Sequence, residues 1–498
     1  MDCDVLIVGA GNAAFCAALA ARERGASVLV LERAPKEESG GNTRFTAGAF
    51  RVAYDGVADL RALMPDLSEA EIANSDFGSY PEARYFDDMG RLTDYRCDPD
   101  LTEILIRRSK ATLLWMRDKG VRFQPMFGRQ TFKVDGKLKF WGGLAVEAWG
   151  GGPGLSEALF GAAKRAGIDV RTGARATALV HDDDGVHGVR ARIAGRTTEV
   201  RARAVVLACG GFEANPEWRA RYLGPGWDLA KVRGTRFNTG DGIRMALEIG
   251  AAAAGNWSGC HAVGWERNAP EFGDLGVGDL FQKHSYPLGI MVNALGQRFL
   301  DEGADFRNYT YAKYGRIILE QPGQFAWQVF DAKAIPLLRD EYRIKQVTKV
   351  AADTLEDLVA RLDGVDGAAA LETIRAYNAA VRGDLAFDPS VKDGRCTEGL
   401  AVPKSNWANT IDAPPFEAYA VTCGITFTFG GLRIDTEARV MDSDLDPIPG
   451  LYAAGELVGG LFYSNYPGGT GLMAGAVFGR IAGASAAAQA AGSGVDAS

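Results

Sequence analysis

The residues best placed to do chemistry begin at Gly9, Gly11 and Ala14, a G-x-G-x-x-A turn inside "DVLIVGAGNAAFCAALAARERGASVLVLER". Glycine lets a backbone approach a pyrophosphate there. A helix starting around Asn12 and Ala13 offers free N–H groups and the positive end of its dipole. Glu32, about 20 residues on at the end of a second strand, fits an acceptor for ribose hydroxyls, with Arg33 beside it. Strand, turn, helix and acid in register point to dinucleotide binding, although the motif alone does not separate NAD from FAD.

Candidates for substrate chemistry are fewer. Of four histidines, His181 and His187 fall in a turn-like acidic hairpin, which leaves His261 in "SGCHAV" and, more weakly, His284 in "QKHSYP". His261 reads as a ligand of substrate or as a satisfied core histidine. Arg307 is followed by Tyr309, Tyr311 and Lys313, which either line one cleft or simply pack. Arginine is normally a fixed cation, so by residue type Arg307 alone reads as half of a salt bridge.

The elements that position these groups follow from periodicity. Asp4 to Leu31 is a βαβ unit. Residues 52–140 read as a largely helical insertion, with "DPDLTEILIRRSKATLLWMRDKG" amphipathic. A helix, a strand and a hairpin follow from about residue 155 and take in Ala176. The strand "RARAVVLACGGF" then ends in a glycine turn holding Ala208 and Gly210. Residues 256–415 change texture to aromatics, charges and helices and read as an inserted second lobe, so the first lobe comprises 1–255 and 416–498. "GGLRIDTEARVMD" alternates as a strand, and "IPGLYAAGEL" returns to the apolar style of the N-terminus. The expected architecture is α/β: a discontinuous Rossmann-like domain with an inserted α+β capping domain.

Further small-residue segments separate the two dinucleotides. "GGNTRFTAGAF" supplies Gly41, Asn42, Thr43, Ala47 and Gly48, "NTGDG" supplies Asp241, and Glu456 precedes "PGGTGLMAGAVFGRIAG" with Gly469, Thr470, Gly471 and Leu472. As an ordered set they suit the pyrophosphate and ring of a flavin.

Bulk properties exclude several classes. The net charge of −8 with no basic stripe argues against nucleic acid. Seven cysteines without a C-x-x-C pair argue against a metal or iron–sulfur site and read as reduced cytoplasmic thiols. The first residues carry no basic leader, and no apolar run reaches the roughly 20 residues of a membrane span. Disorder is expected only in the tail, 486–498.

Over essentially its whole length the chain resembles the flavoprotein family of fumarate reductases, succinate dehydrogenases and 3-ketosteroid dehydrogenases. Within it the chain is most similar to tricarballylate dehydrogenases, through "GGNTRFTAGAFR", "GNWSGCHAV", "PKSNWANTI", "YAVTCGITFTFGGL" and "GLFYSNYPGGTGL". The resemblance implies that both chain ends hold one FAD, with Glu456 on the ribityl or ribose and Gly469 to Leu472 beneath the isoalloxazine. Asn42 stands where respiratory members carry the flavin-linking histidine, so noncovalent FAD is implied. The G-x-R-F pattern at Gly296, Arg298 and Phe299 is followed by Arg307, which the resemblance makes the proton-transfer residue. It also puts His261 near the family's substrate-carboxylate histidine.

Two departures are Thr426, Phe427 and Thr428 where fumarate reductases place a histidine, and Tyr466 where they place an arginine. A third is Ser464, where tricarballylate dehydrogenases are expected to carry histidine. Tyr466 resembles instead the carbonyl-binding tyrosine of ketosteroid dehydrogenases. The expected reaction is dehydrogenation of a CH–CH bond beside a carboxylate, tricarballylate to cis-aconitate as the specific case. The acceptor would be a membrane-bound iron–sulfur/haem protein or O2. Alternatives are an enone-forming dehydrogenase with an apolar pocket, a precorrin-modifying flavoprotein, and a non-catalytic electron-transfer subunit.

Overall fold

The computed structural model describes residues 2–492. Cys3–Val8 is the centre of a parallel sheet, with Val28–Leu31 and Asp169–Arg171 on one side and the inner half of Arg196–Leu207, then Pro447–Ala453, on the other. The four inner residues of each central strand are buried on both faces, as their unbroken Val, Leu and Ile content requires. The outer half of Arg196–Leu207 pairs antiparallel with Gly185–Ile193, which returns to Ala174–Asp182, so the expected hairpin extends the same sheet.

The helices Asn12–Glu23 and Thr470–Gly492 lie against each other, though 446 residues separate their ends. Gly475, Gly479 and Gly483, one per helical turn, permit it. A Cβ on Gly479 would sit 2.4 Å from the carbonyl oxygen of Ala13, and one on Gly483 2.0 Å from that of Ala17. The 23-residue C-terminal helix is long and apolar enough to cross a membrane, which corrects the expectation that no such stretch exists. Its apolarity serves the interior here, because two thirds of its most apolar window is buried. Residues 486–492 of the tail are helical, and the rest of that expectation lies outside the described residues.

The insertion after the first two strands carries Val57–Leu63, Glu82–Leu92 and Pro99–Asp118, the last capped by Asp98, whose carboxylate accepts from the amides of Asp100 and Leu101. "GGLRIDTEARVMD" forms two short strands, Gly431–Leu432 and Arg439–Met441, instead of one. The second sheet is built around Phe416–Thr428, which pairs with Cys260–Glu266, Phe325–Phe330, Lys349–Ala352 and Lys231–Val232. This sheet therefore reaches beyond 256–415 at both ends. The change of texture marked where aromatics begin, whereas the central strand, "FEAYAVTCGITFT", reads like the first lobe. Tyr311–Leu319 packs on Cys260–Glu266 and faces the junction of the two lobes.

Candidate active site

One cavity of about 1730 Å3, counting its mouth, opens at the ends of the first sheet's strands, where Val8, Leu31, Ala208 and Ala454 line it. At its first end Gly9 has φ +111°, and a Cβ there would lie 2.3 Å from the Ala208 carbonyl oxygen, so only glycine closes the turn. Gly11 is the N-cap of Asn12–Glu23, which carries neither a side-chain cap nor an acid in its first turn, leaving its positive end for a ligand's anion. Glu32 is buried, accepts from the Ala34 amide at 2.7 Å, and has its carboxyl pushed up by burial. Arg33 and Arg175 both bond Asp241 on the same wall, beside Ala176.

The other end is made from the C-terminus. The side-chain amide of Asn12 donates to the Leu472 carbonyl at 2.8 Å, so the two glycine turns meet, and Gly469, Gly471 and Leu472 line the same space. Gly41, Asn42, Thr43 and Ala47 complete this wall. The Asn42 amide donates to Glu213 (2.7 Å) and to the Thr426 carbonyl (2.9 Å), and its oxygen accepts from the Thr235 amide. Glu213 and Glu456 share the Asn238 amide as donor, and burial raises both carboxyls. A bare helix N-terminus, a second helix starting at Thr470, a buried ribose-type acid and a long continuous trough fit a dinucleotide with a second aromatic half. When bound, FAD supplies a two-electron hydride acceptor at this second end.

Above that end stand the groups of the second lobe. His261 lies flat on Phe427 (centroids 5.1 Å) and edge-on to Tyr311 and Tyr466 (4.9 Å each). Tyr311 and Tyr466 share a hydroxyl–hydroxyl hydrogen bond, and burial raises both phenols above their usual range. Both ring nitrogens of His261 are buried without a partner among the described residues. Arg233 also lines the cavity and pairs with Asp279, which holds Arg129 as well.

Several expected residues lie outside this lining. Ala14 faces the sheet, fully buried. Gly48 lets the chain touch Gly151, whose carbonyl carbon a Cβ would meet at 2.7 Å, and Thr470 turns its hydroxyl to Tyr85 (3.1 Å). The Tyr309 hydroxyl lies 2.7 Å from Asp88 and 2.8 Å from the Gly142 carbonyl, away from the cavity, with one proton to give to either. Its neighbour Arg307 lines an adjoining cavity, with a guanidinium nitrogen 3.3 Å from His284 Nδ1. The rings of His284 and Tyr311, centroids 4.9 Å apart, form the partition between the two spaces. Sequence reasoning missed Arg129, Arg233, Glu213 and Arg339. None sits in a glycine motif.

This fold and this trough define a flavin-dependent oxidoreductase. The chain matches the FAD binding domain family over residues 4–472 and belongs to it, within its fumarate reductase-like members. It is an FAD-dependent oxidoreductase acting on CH–CH groups. It is 33% identical to a probable fumarate reductase, Ifc3, of Shewanella frigidimarina over 97% of this chain and 74% of that protein. It is 27% identical to 4-oxocyclohex-2-ene-1-carboxylate 5-dehydrogenase of Sinomonas cyclohexanicum, over 97% of this chain and 93% of that one. A flavocytochrome c3 fumarate reductase in an open conformation superposes with a TM-score of 0.72 at 29% identity, covering 98% of this chain and 78% of that one.

The two buried histidines set a pH dependence. Burial, assisted by Arg233 at His261 and by Arg307, Arg233 and Arg129 at His284, holds both well below the usual imidazole range. The unfolded chain binds their protons from about pH 6.5 downward and the folded chain does not, so stability falls as pH falls. The expected loss approaches about 1.4 kcal/mol per histidine for each pH unit below 6.5. Denaturant melts of His261→Gln between pH 7 and 5 should show a shallower decline than wild type; equal slopes would refute the assignment.

Proposed function

We propose that the protein dehydrogenates, or in reverse hydrogenates, the carbon–carbon bond next to a carboxylate in a small polycarboxylic acid, with tricarballylate to cis-aconitate as the specific reaction. The observation that carries this reading is His261. An imidazole with both nitrogens buried and unpartnered, beside a tyrosine hydroxyl pair over the ring end of the trough, is built to meet a ligand's oxygen. As a neutral ring it donates from one nitrogen and accepts at the other. Tyr466 holds the same oxygen, and its phenol stays protonated. Charge developing on that oxygen as the α-proton leaves is stabilised by these donors. Arg307 is the proton-transfer group of this reading, supported by its contact with His284, whose ring packs on Tyr311 at the edge of the trough. An amide at Asn42 lacks the nucleophilic ring nitrogen that a flavin–protein bond uses, which supports noncovalent FAD. The electrons then pass to a separate acceptor, an iron–sulfur or haem protein at the membrane, with the chain itself in the cytoplasm.

A second reading has its own support. Phe427, Phe429, Phe462 and Tyr466 make the flavin-facing wall aromatic, and the Sinomonas relative is named for a cyclic enone carboxylate. The wall suits a flat ring bearing a ketone. Mixing the yellow protein anaerobically with tricarballylate, succinate, 4-oxocyclohex-2-ene-1-carboxylate and a 3-ketosteroid separates the two. Tricarballylate is expected to bleach the flavin fastest. Bleaching by a cyclic ketone alone would overturn the polycarboxylate reading.

A further inference from the structure

We propose that the second cavity, beyond the His284–Tyr311 partition, is a carboxylate-binding subsite whose principal ligands are Arg307 and Arg339. It measures about 360 Å3 with its mouth, against about 1730 Å3 for the trough. Four buried N–H groups on its walls lack a partner among the described residues: Arg307 Nε, Arg339 Nη2, His284 Nε2 and Trp141 Nε1. All four are donors. Because the Arg307 guanidinium can only donate, His284 Nδ1 accepts and its proton sits on Nε2. Four donors and no matching acceptor around one space describe the complement of an anion.

The charges agree. Arg307 and Arg339 are each 8% exposed. Among the described residues neither has a carboxylate within ion-pair distance; Arg307 bonds the Arg129 carbonyl and Arg339 the Gly128 carbonyl. Glu341, buried nearby, is the carboxylate whose field reaches both. Burial together with the neighbouring Arg307 charge brings the Arg339 guanidinium down to about 9, a cost that a bound anion would relieve. The remaining walls are flat and apolar. Trp141 stacks on Phe306 at 5.5 Å, and both guanidinium groups lie over Trp141. Planar donors beside aromatic faces suit a planar carboxylate on a short carbon chain.

The carboxylate could be the remote one of the substrate or belong to a separate small acid, and one titration distinguishes them. Holoenzyme is titrated calorimetrically with acetate, alone and after saturation with tricarballylate. Acetate is expected to bind saturably to wild type, at least tenfold more weakly to Arg339→Gln, and at an intermediate strength to Arg339→Lys. Arg343→Gln, an exposed arginine next in sequence, should match wild type. Loss of acetate binding in the presence of tricarballylate assigns the site to the substrate's remote carboxylate. Unchanged acetate binding assigns it to a second acid. Unsaturable acetate heats, or equal affinity in Arg339→Gln of wild-type FAD content, would overturn the subsite. The result is independent of turnover: Arg339-dependent acetate binding in an enzyme that tricarballylate fails to bleach upholds the subsite and removes the substrate assignment.

Discussion

Gly479→Val is expected to give a polypeptide that purifies largely without FAD and unfolds well below the wild-type temperature. The reason is contact, since Gly479 has ordinary helical neighbours. Its missing side chain lets the carbonyl of Ala13 come to where a Cβ would be 2.4 Å away, with Cys16 Cβ at 3.0 Å. A glycine inside a helix costs about 0.5–1 kcal/mol relative to alanine, and this helix carries three on one face. The cost is offset only because two helices then pack at backbone distance, with the Asn12 amide on the Leu472 carbonyl. Overpacking a well-filled core costs about 1–3 kcal/mol where side chains can yield, and more here, where the obstacle is backbone. Forcing the helices apart also separates the two N-termini that face the trough. Gly492→Ala, with nothing among the described residues within 4 Å of its Cβ, serves as the control and should be neutral or mildly stabilising. Flavin absorbance per polypeptide and a thermal melt decide it; wild-type values for Gly479→Val would show that the helix pair does not hold the cofactor site together.

That pairing explains how much of the molecule could be read from its residues. Gly9, Gly11, Glu32 and Gly469 sit in short motifs whose backbone demands are local, and all four line one trough. The long-range groups were not legible in this way. Arg129, Arg233 and Asp279 come from three separate segments and meet only because the second lobe folds over the first. Arg307 and Tyr309 show the opposite limit. Two residues apart on one tight turn, they face different ways, Tyr309 to Asp88 in the insertion and Arg307 to His284 in the second lobe. Adjacency in sequence left a shared cleft and simple packing both open, and a 3-10 turn rotates successive side chains by about a third of a turn each. Phe416–Thr428 is a third case. Its central place in the second sheet depends on four partners, and nothing in its own alternation says which lobe supplies them.

Tyr466→Phe is expected to lower turnover by about 10²–10³, the usual effect of removing one donor from a developing oxyanion, while FAD content stays at the wild-type level. The hydroxyl pair holds two protons. One is spent between Tyr311 and Tyr466, and the other remains to be given to a substrate oxygen. Neither phenol ionises at ordinary pH, because burial raises both, so the pair acts as a donor throughout the working range. Phenylalanine keeps the ring against His261, Phe427 and Phe462, and the wall is not expected to collapse. Tyr311→Phe should be slowed comparably, since it removes the same shared proton from the other side. If the two hydroxyls work as one unit, the double variant should be little slower than the slower single variant, because groups that act together do not lose their effects additively. Rates of anaerobic flavin bleaching by the active acid measure all three. A Tyr466→Phe enzyme that bleaches at the wild-type rate would remove the pair from the chemistry. Multiplicative losses in the double variant would mean that each hydroxyl contacts substrate on its own.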